Sequence, residues 1–247
     1  MWQRIRHITR GLLFIPWFLS LTAVLAPVAI AMSLVTRSGD AAHRLGRRWS
    51  RWLLAAAGVE VEVTGREHLA GLPGGLVIAA NHASQLDILA LFVALPIQFR
   101  FVAKKELFHL PLLGPAMRFT GYIPIDRSGG RSAVESLNRA AEVVRSGVAV
   151  LIFPEGTRSP DGRLRPFKPG GVLLARKAGT PVLPVAISGS HRCLPRGSIL
   201  VRPGRIRVRL LPPVDPVGPG GPKGKDALTR ELHQAILSGL DPGNRPA

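Results

Sequence analysis

The feature that most restricts this chain is the run Gly11–Val35, GLLFIPWFLSLTAVLAPVAIAMSLV, 25 residues without a charged side chain. As one helix it would be roughly 38 Å long at about 1.5 Å per residue, enough to cross the hydrocarbon core of a bilayer. A cleaved signal peptide carries a shorter apolar region, of about 7–15 residues, although Ala29 and Ala31 imitate a cleavage signal. Two readings stand beside it. One is a spanning helix. The other is an interfacial or re-entrant element broken at Pro16 and Pro27, each of which removes a helix hydrogen bond. Either keeps the protein on a membrane. Arg4, Arg6 and Arg10 precede the run, and Arg37, Arg44, Arg47, Arg48 and Arg51 follow it. The heavier count after it predicts a main domain on the cytoplasmic face of the cell (inner) membrane. Charge on both flanks also suits an element whose two ends stay on one side.

From Arg37 to Ala57 the pattern becomes amphipathic, with Leu45, Trp49, Trp52 and Leu53 at helical spacing among several arginines. Such a helix either packs on a core with a solvated basic face or lies along anionic headgroups. The whole chain carries 33 Lys and Arg against 15 Asp and Glu, a net charge of +18. That excess asks for an anionic partner, nucleic acid or a lipid surface. Aromatic residues are only 6% of the chain and some sit in the apolar segment, so stacking platforms for bases are scarce and nucleic acid is disfavoured. Cys193 is the sole cysteine, which excludes a disulfide framework and a Cys-based zinc site.

Past residue 58, short β-branched runs alternate with helical stretches. Strands are predicted at Val59–Thr64, Leu76–Ala80, Phe99–Ala103, Tyr122–Ile125, Ala149–Phe153, Val182–Ile187 and Ile206–Leu210, and helices at Ser84–Leu95, Pro111–Thr120, Arg131–Ser146 and Gly171–Ala178. The alternation predicts an α/β fold, a mixed, largely parallel sheet flanked by helices, behind an N-terminal membrane-associated helical segment. Three regions follow: a membrane-associated helical region over 1–57, the α/β domain over 58–215, and a linker with a final helix over 216–247. The linker is PVGPGGPKG, and Leu228, Leu232 and Ile236 give the final helix an apolar stripe for docking.

Four segments carry residues suited to chemistry. In VIAANHASQLDILAL, His82 stands just past a strand end, where open α/β sheets commonly bind ligands. Ser84 followed by Asp87 is a pattern that starts helices, so Asp87 has an ordinary capping explanation. The same spacing lets its carboxylate hold the His82 Nδ1–H and leave Nε2 as an oriented base. In AVLIFPEGTRSPDG, Glu155 precedes Gly156, which permits close approach of a ligand or backbone. Arg158 there offers planar donors suited to phosphate, or pairs with Glu155 or Asp161. In AKKELFHLPLLGPAMRFTGYIPIDR, Lys104 and Lys105 flank an apolar helix that leads to Asp126 and Arg127. In TPVLPVAISGS, Pro184 interrupts a buried strand and suggests an edge or a bulge. His68, His109 and His191 are scattered, so no metal site is expected. No G-x-S-x-G elbow or glycine-rich phosphate loop is present.

In order and in register, NHASQLD (81–87), KKELFHLPLLGPAMRFTGYIPIDR (104–127), FPEGTRS (153–159) and LPVAI (183–187) resemble the four blocks of the glycerolipid acyltransferase family. The resemblance covers about residues 60–212. It implies acyl transfer from a thioester to a lysolipid hydroxyl without a covalent enzyme intermediate. His82, oriented by Asp87, would take the hydroxyl proton. Glu155, Gly156, Thr157 and Arg158 would belong to the acceptor site, with Arg158 on the phosphate. Lys104, Lys105 and Arg127 match basic positions of the second block, and Pro184 a position tied to the acyl donor or to local shape. The implied partners are acyl-CoA or acyl-carrier protein as co-substrate, a lysophospholipid and membrane lipids, with no cofactor. The implied acceptor is 1-acylglycerol 3-phosphate. Another lysolipid, such as a lyso-ornithine lipid, and a non-catalytic basic membrane-binding protein are the competing expectations.

Overall fold

Alternation along the short strands decides the layering. In Val77–Ala80, Val77 and Ala79 face one side of the sheet and Ile78 and Ala80 the other, and all four are buried. The computed structural model describes residues 2–126, 130–216 and 224–246. Among these, seven strands form one sheet: β1 (Val59–Thr64), β2 (Val77–Ala80), β3 (Phe99–Lys104), β4 (Ile123–Ile125), β5 (Ala149–Ile152), β6 (Val182–Ser188) and β7 (Gly204–Leu210). Their order is β1-β7-β6-β2-β5-β3-β4. The five strands from β6 to β4 run parallel, and β7 with its parallel neighbour β1 runs against them. The predicted mixed, largely parallel sheet is what forms. On edge strand β1, Glu60 and Glu62 pair with Arg205 and Arg207 of β7, charges that suit a solvated sheet margin.

Helices cover both faces. On one lie α1 (Trp2–Thr36), α2 (Asp40–Ala57) and α3 (Leu86–Ala94), packing Phe14, Leu53, Leu54, Leu91 and Phe92 onto Ile78, Leu151 and Leu183. A short α4 (Leu113–Phe119) precedes β4. On the other face lie α5 (Gly130–Arg145), α6 (Pro169–Ala178) and, after a one-turn α7 (Ser190–Cys193), α8 (Lys225–Gly239). The stripe predicted for the last helix does dock: Leu228, Leu232 and Ile236 are fully buried on that face. Residues 217–223 of the expected linker, and Arg127, lie outside the described residues.

Two pairs of local alternatives are decided. Pro16 and Pro27 do not break the N-terminal element, because α1 continues through both. Each proline deletes one hydrogen bond, and the helical turns on either side keep the axis. Gly11–Thr36 is thus a helix long and apolar enough to cross a membrane, with Leu12, Leu13, Trp17, Leu19, Val24 and Val35 exposed. The second concerns Pro184, which is not on an edge. It lies in β6 between β2 and β7, with its missing N–H turned toward the chain after β7. There Val185 pairs with Leu210, yet Val182 bridges Val214, one residue further on than a regular ladder would give. The extra residue makes a bulge opposite Pro184, so the absent donor costs no ladder bond.

The amphipathic α2 is bolted inward as well as decorated outward. Arg47 donates to the carbonyls of Phe92, Leu95 and Ile97 at the end of α3, at 3.1, 2.8 and 2.9 Å. A cation suits that helix C-terminus, and this arginine is therefore not free for headgroups. Trp52 remains exposed on the outer face.

Candidate active site

The parallel strands send their C-terminal ends to one edge of the sheet, and every predicted block arrives there. Because β2 and β5 are hydrogen-bonded neighbours, the segments that follow them, 81–85 and 153–168, meet side by side. Asn81 begins the first. Its side chain extends the β2–β6 ladder, Nδ2 donating to Ile187 O at 2.9 Å and Oδ1 accepting from Ile187 N at 2.7 Å.

His82 follows, mostly buried with its side chain 13% exposed. Its Nδ1 lies 2.8 Å from Asp87 Oδ2. The same oxygen accepts the backbone N–H groups of Ala83 and Ser84, each at 2.8 Å. An oxygen that already accepts two N–H bonds accepts the third as well, so Nδ1 is the donor, and in the neutral imidazole Nε2 is then the nitrogen with the lone pair. The capping explanation and the orienting one are both realised in a single oxygen. Ser84 completes the helix start. Its hydroxyl accepts from Leu86 N at 3.2 Å and donates to Leu194 O at 2.8 Å, although the helix proper begins at Leu86.

The loop after β5 grips His82 by its backbone and its ring. Glu155 Oε1 accepts His82 N at 2.6 Å, and Ser159 N donates to His82 O at 2.8 Å. Phe153 stacks on the imidazole, with centroids 4.0 Å apart and 15° between planes. The imidazole thus has a fixed tautomer, a fixed tilt and a fixed backbone, which is what a general base needs.

Glu155 is the residue whose placement departs most from expectation. Rather than facing an acceptor it is buried, and its second oxygen takes Arg165 N at 3.2 Å. Burial pushes its carboxyl up to about 8, against the pull of those two backbone bonds. It is a clamp between two loop segments. Gly156 adopts a left-handed φ of 73° that a side chain would strain. Thr157 and Arg158 are half-buried on the same turn, and the Arg158 carbonyl accepts Arg196 Nη1 at 3.0 Å. Asp161 instead binds Ser159 Oγ and Arg163 N, so the expected pairing with Arg158 is not seen.

At the end of β3, neither lysine turns inward. Lys104 pairs with Glu106 at 3.3 Å and Lys105 with Asp126 at 2.6 Å, both lysines about half exposed. The Asp126 partner raises the Lys105 ammonium above its ordinary value. No group of His, Cys, Asp and Glu fit for a metal occurs among the described residues.

Reading the blocks alone misses Phe153 as the ring's platform, Asn81 and Ser159 as fasteners, Lys168 beside Gly156 and Arg196 on the Arg158 carbonyl. A usable signal exists for Lys168. Pro169 opens α6, which puts Lys168 at the cap and back at this edge, where its N–H bonds Pro154 O at 2.8 Å.

A family model described as Acyltransferase matches residues 60–188. A 1-acyl-sn-glycerol-3-phosphate acyltransferase of Chlamydomonas reinhardtii is 33% identical over 241 residues, covering 94% of this chain and 70% of that protein. One from Brassica napus is 38% identical over 156 residues, 63% of this chain and 45% of that protein. The chain spans about half the length of several such relatives, 49% of the Arabidopsis thaliana one for example. The crystal structure of the 1-acyl-sn-glycerophosphate acyltransferase of Thermotoga maritima is similar with a TM-score of 0.79 at 27% identity, covering 94% of this chain and 95% of that one.

Proposed function

The chain belongs to the acyltransferase family, and on that premise we propose that it moves a fatty acyl chain from an acyl thioester to the sn-2 hydroxyl of 1-acylglycerol 3-phosphate, forming phosphatidic acid. The observation that carries this reading is the 2.8 Å contact between His82 Nδ1 and Asp87 Oδ2. It leaves Nε2 as the acceptor of a hydroxyl proton. As that proton moves to Nε2, the hydroxyl oxygen bonds the thioester carbon, and the tetrahedral adduct collapses with loss of a thiolate. His82 then returns its proton to the thiolate or to solvent. Arg158 takes the acceptor's phosphate, and Lys104 and Lys105, with Arg127 as a basic position of the same sequence block, add positive charge that favours it. The donor is acyl-CoA or acyl-carrier protein.

The α1 helix supports membrane attachment, with exposed leucines and tryptophan over Gly11–Thr36. The arginines following it favour the cytoplasmic face of the inner membrane. The test is a panel of acceptors offered to purified protein in lipid with labelled acyl-CoA, beside His82→Ala. Turnover of lysophosphatidate that vanishes in the variant is the expected result. Turnover only of another lysolipid, such as a lyso-ornithine lipid, would move the assignment to that headgroup. No turnover of any acceptor would favour a non-catalytic membrane-binding protein.

A further inference from the structure

We propose that Lys168 is a second phosphate-binding group of the acceptor site, seated with Arg158 on the turn made by Gly156; the proposal rests on the lysolipid reading above. A Cβ added at Gly156 would lie 3.0 Å from Lys168 Cδ, 3.1 Å from Cε and 3.4 Å from Nζ. The lysine stem is therefore laid across the turn and brings its ammonium over the backbone between Glu155 and Thr157. Position 156 resists a side chain through its left-handed φ, and a Cβ there would also press on the end of this lysine.

Charge bookkeeping makes the turn a seat for an anion. The two carboxylates nearest in sequence are engaged elsewhere: Glu155 is buried on the N–H groups of His82 and Arg165, and Asp161 holds Ser159 and Arg163. Neither Lys168 nor Arg158 has an ion pair among the described residues. Arg196 brings a third positive charge to the same rim while it holds the Arg158 carbonyl. Unpaired cations on one short turn repel one another, and an anion between them removes that repulsion. The turn is also tied to the His82 backbone on both sides. A phosphate seated there would lie at a fixed remove from the base, as a glycerol backbone requires. A phosphate monoester can come from the lysolipid headgroup or from the donor's CoA, and the two make opposite predictions.

The experiment uses the full chain in lipid, comparing the parent with Lys168→Gln and Lys168→Arg. Lys168 is exposed, and thermal melting checks that both variants fold. Losing one charged partner predicts a lysophosphatidate KM raised roughly 10- to 100-fold in Lys168→Gln. The acyl-CoA KM and kcat should stay within about 2-fold, because only ground-state binding of the acceptor is lost. Lys168→Arg should recover most of the loss. An unchanged lysophosphatidate KM overturns the proposal, and so does a rise confined to the acyl-CoA KM. Should the parent acylate only phosphate-free lysolipids, the acceptor assignment itself fails. Protection of Lys168 from amine acetylation by glycerol 3-phosphate then decides for the seat, and absence of protection decides against it.

Discussion

Asp87 has two jobs in one oxygen, and two substitutions separate them. In Asp87→Ala the N–H groups of Ala83 and Ser84 lose their acceptor at positions 2% and 0% exposed, where water does not replace it. Each orphaned buried donor costs about 1–3 kcal/mol, and the helix start loses a cap contact of about 1 kcal/mol. A loss of roughly 3–7 kcal/mol is therefore expected in urea unfolding, enough to unfold a marginal domain. Removing this side chain cannot leave folding nearly intact, so inactivity of the alanine variant says nothing about chemistry. Asp87→Asn does. Three donors point at Oδ2, so the amide oxygen must occupy that place, since an NH2 group there would face N–H groups. The cap and the His82 tautomer survive, and only the negative charge behind the imidazolium is lost. A kcat fall of about 10²- to 10³-fold is expected, within the range assigned to general-base catalysis. The amide nitrogen takes the place of Oδ1, which has no partner among the described residues, so a stability loss of about 1–2 kcal/mol accompanies it. Near-normal turnover in Asp87→Asn would refute the orienting role. Unchanged urea stability in Asp87→Ala would refute the capping one.

His82→Ala keeps both backbone bonds to the 153–159 loop and loses the stack on Phe153 and the Nδ1 bond to Asp87, so turnover should vanish while urea melts lose about 2–4 kcal/mol. Arg158→Ala removes a half-buried side chain without an ion pair among the described residues, and should raise the acceptor KM about 10-fold or more with melting unchanged. Glu155 gives a pH limb: its carboxyl is raised from the usual 4.5 to about 8, so the folded protein binds the extra proton between those values. The Glu155 contribution to unfolding free energy should fall as pH rises across that window, by as much as about 5 kcal/mol, and disappear in Glu155→Gln. His43 gives the opposite limb. Buried against Phe92 and Phe99 with both ring nitrogens unpartnered, it is lowered from 6.5 to about 3, so stability should fall as pH drops through that range and His43→Leu should remove the slope. Between pH 4.5 and 6.5 the two limbs oppose and largely cancel in the parent, so each is read in the variant that lacks the other. Flat urea-stability profiles from about pH 4 to 8 in both His43→Leu and Glu155→Gln would count against both assignments.

Strands and helices were legible because local pattern and burial agree. The VEVEVT of β1 alternates as an edge should, and the continuous apolar runs of β2 and β5 read as strands buried on both faces. What local pattern cannot carry is which strand lies beside which. Read from its own strand, Pro184 suggests an edge or a bulge, and that strand alone cannot choose between them. Its tolerance comes from an extra residue some thirty positions downstream, opposite it in space. Pro16 and Pro27 show the converse. A helix breaker speaks about one hydrogen bond, and the apolar length around it decides whether the helix continues.

The site was legible in its residue types and misread in its directions. A charged residue in a substrate-like block invites a substrate role, yet Glu155 has both oxygens committed to backbone N–H groups. Asp87 commits one oxygen to the same kind of donor. Two carboxylates at one strand-end edge thus secure loops that have no ladder of their own. The need is physical: past the ends of β2 and β5 the backbone N–H groups are buried and lack strand partners, and an acidic side chain is the strongest acceptor available. Spending the acids on the backbone has an electrostatic consequence. With Glu155 and Asp161 turned to N–H groups, the cations Arg158 and Lys168 are left without counter-charges from their own loop. Glu155, which holds the His82 backbone, is by that bond withdrawn from the neighbouring turn, so positioning of His82 and attraction of a phosphate share this structural cause. Glu155→Gln should therefore disturb acceptor binding through loop geometry rather than charge, raising the KM of both substrates, whereas Arg158→Ala raises only that of the acceptor.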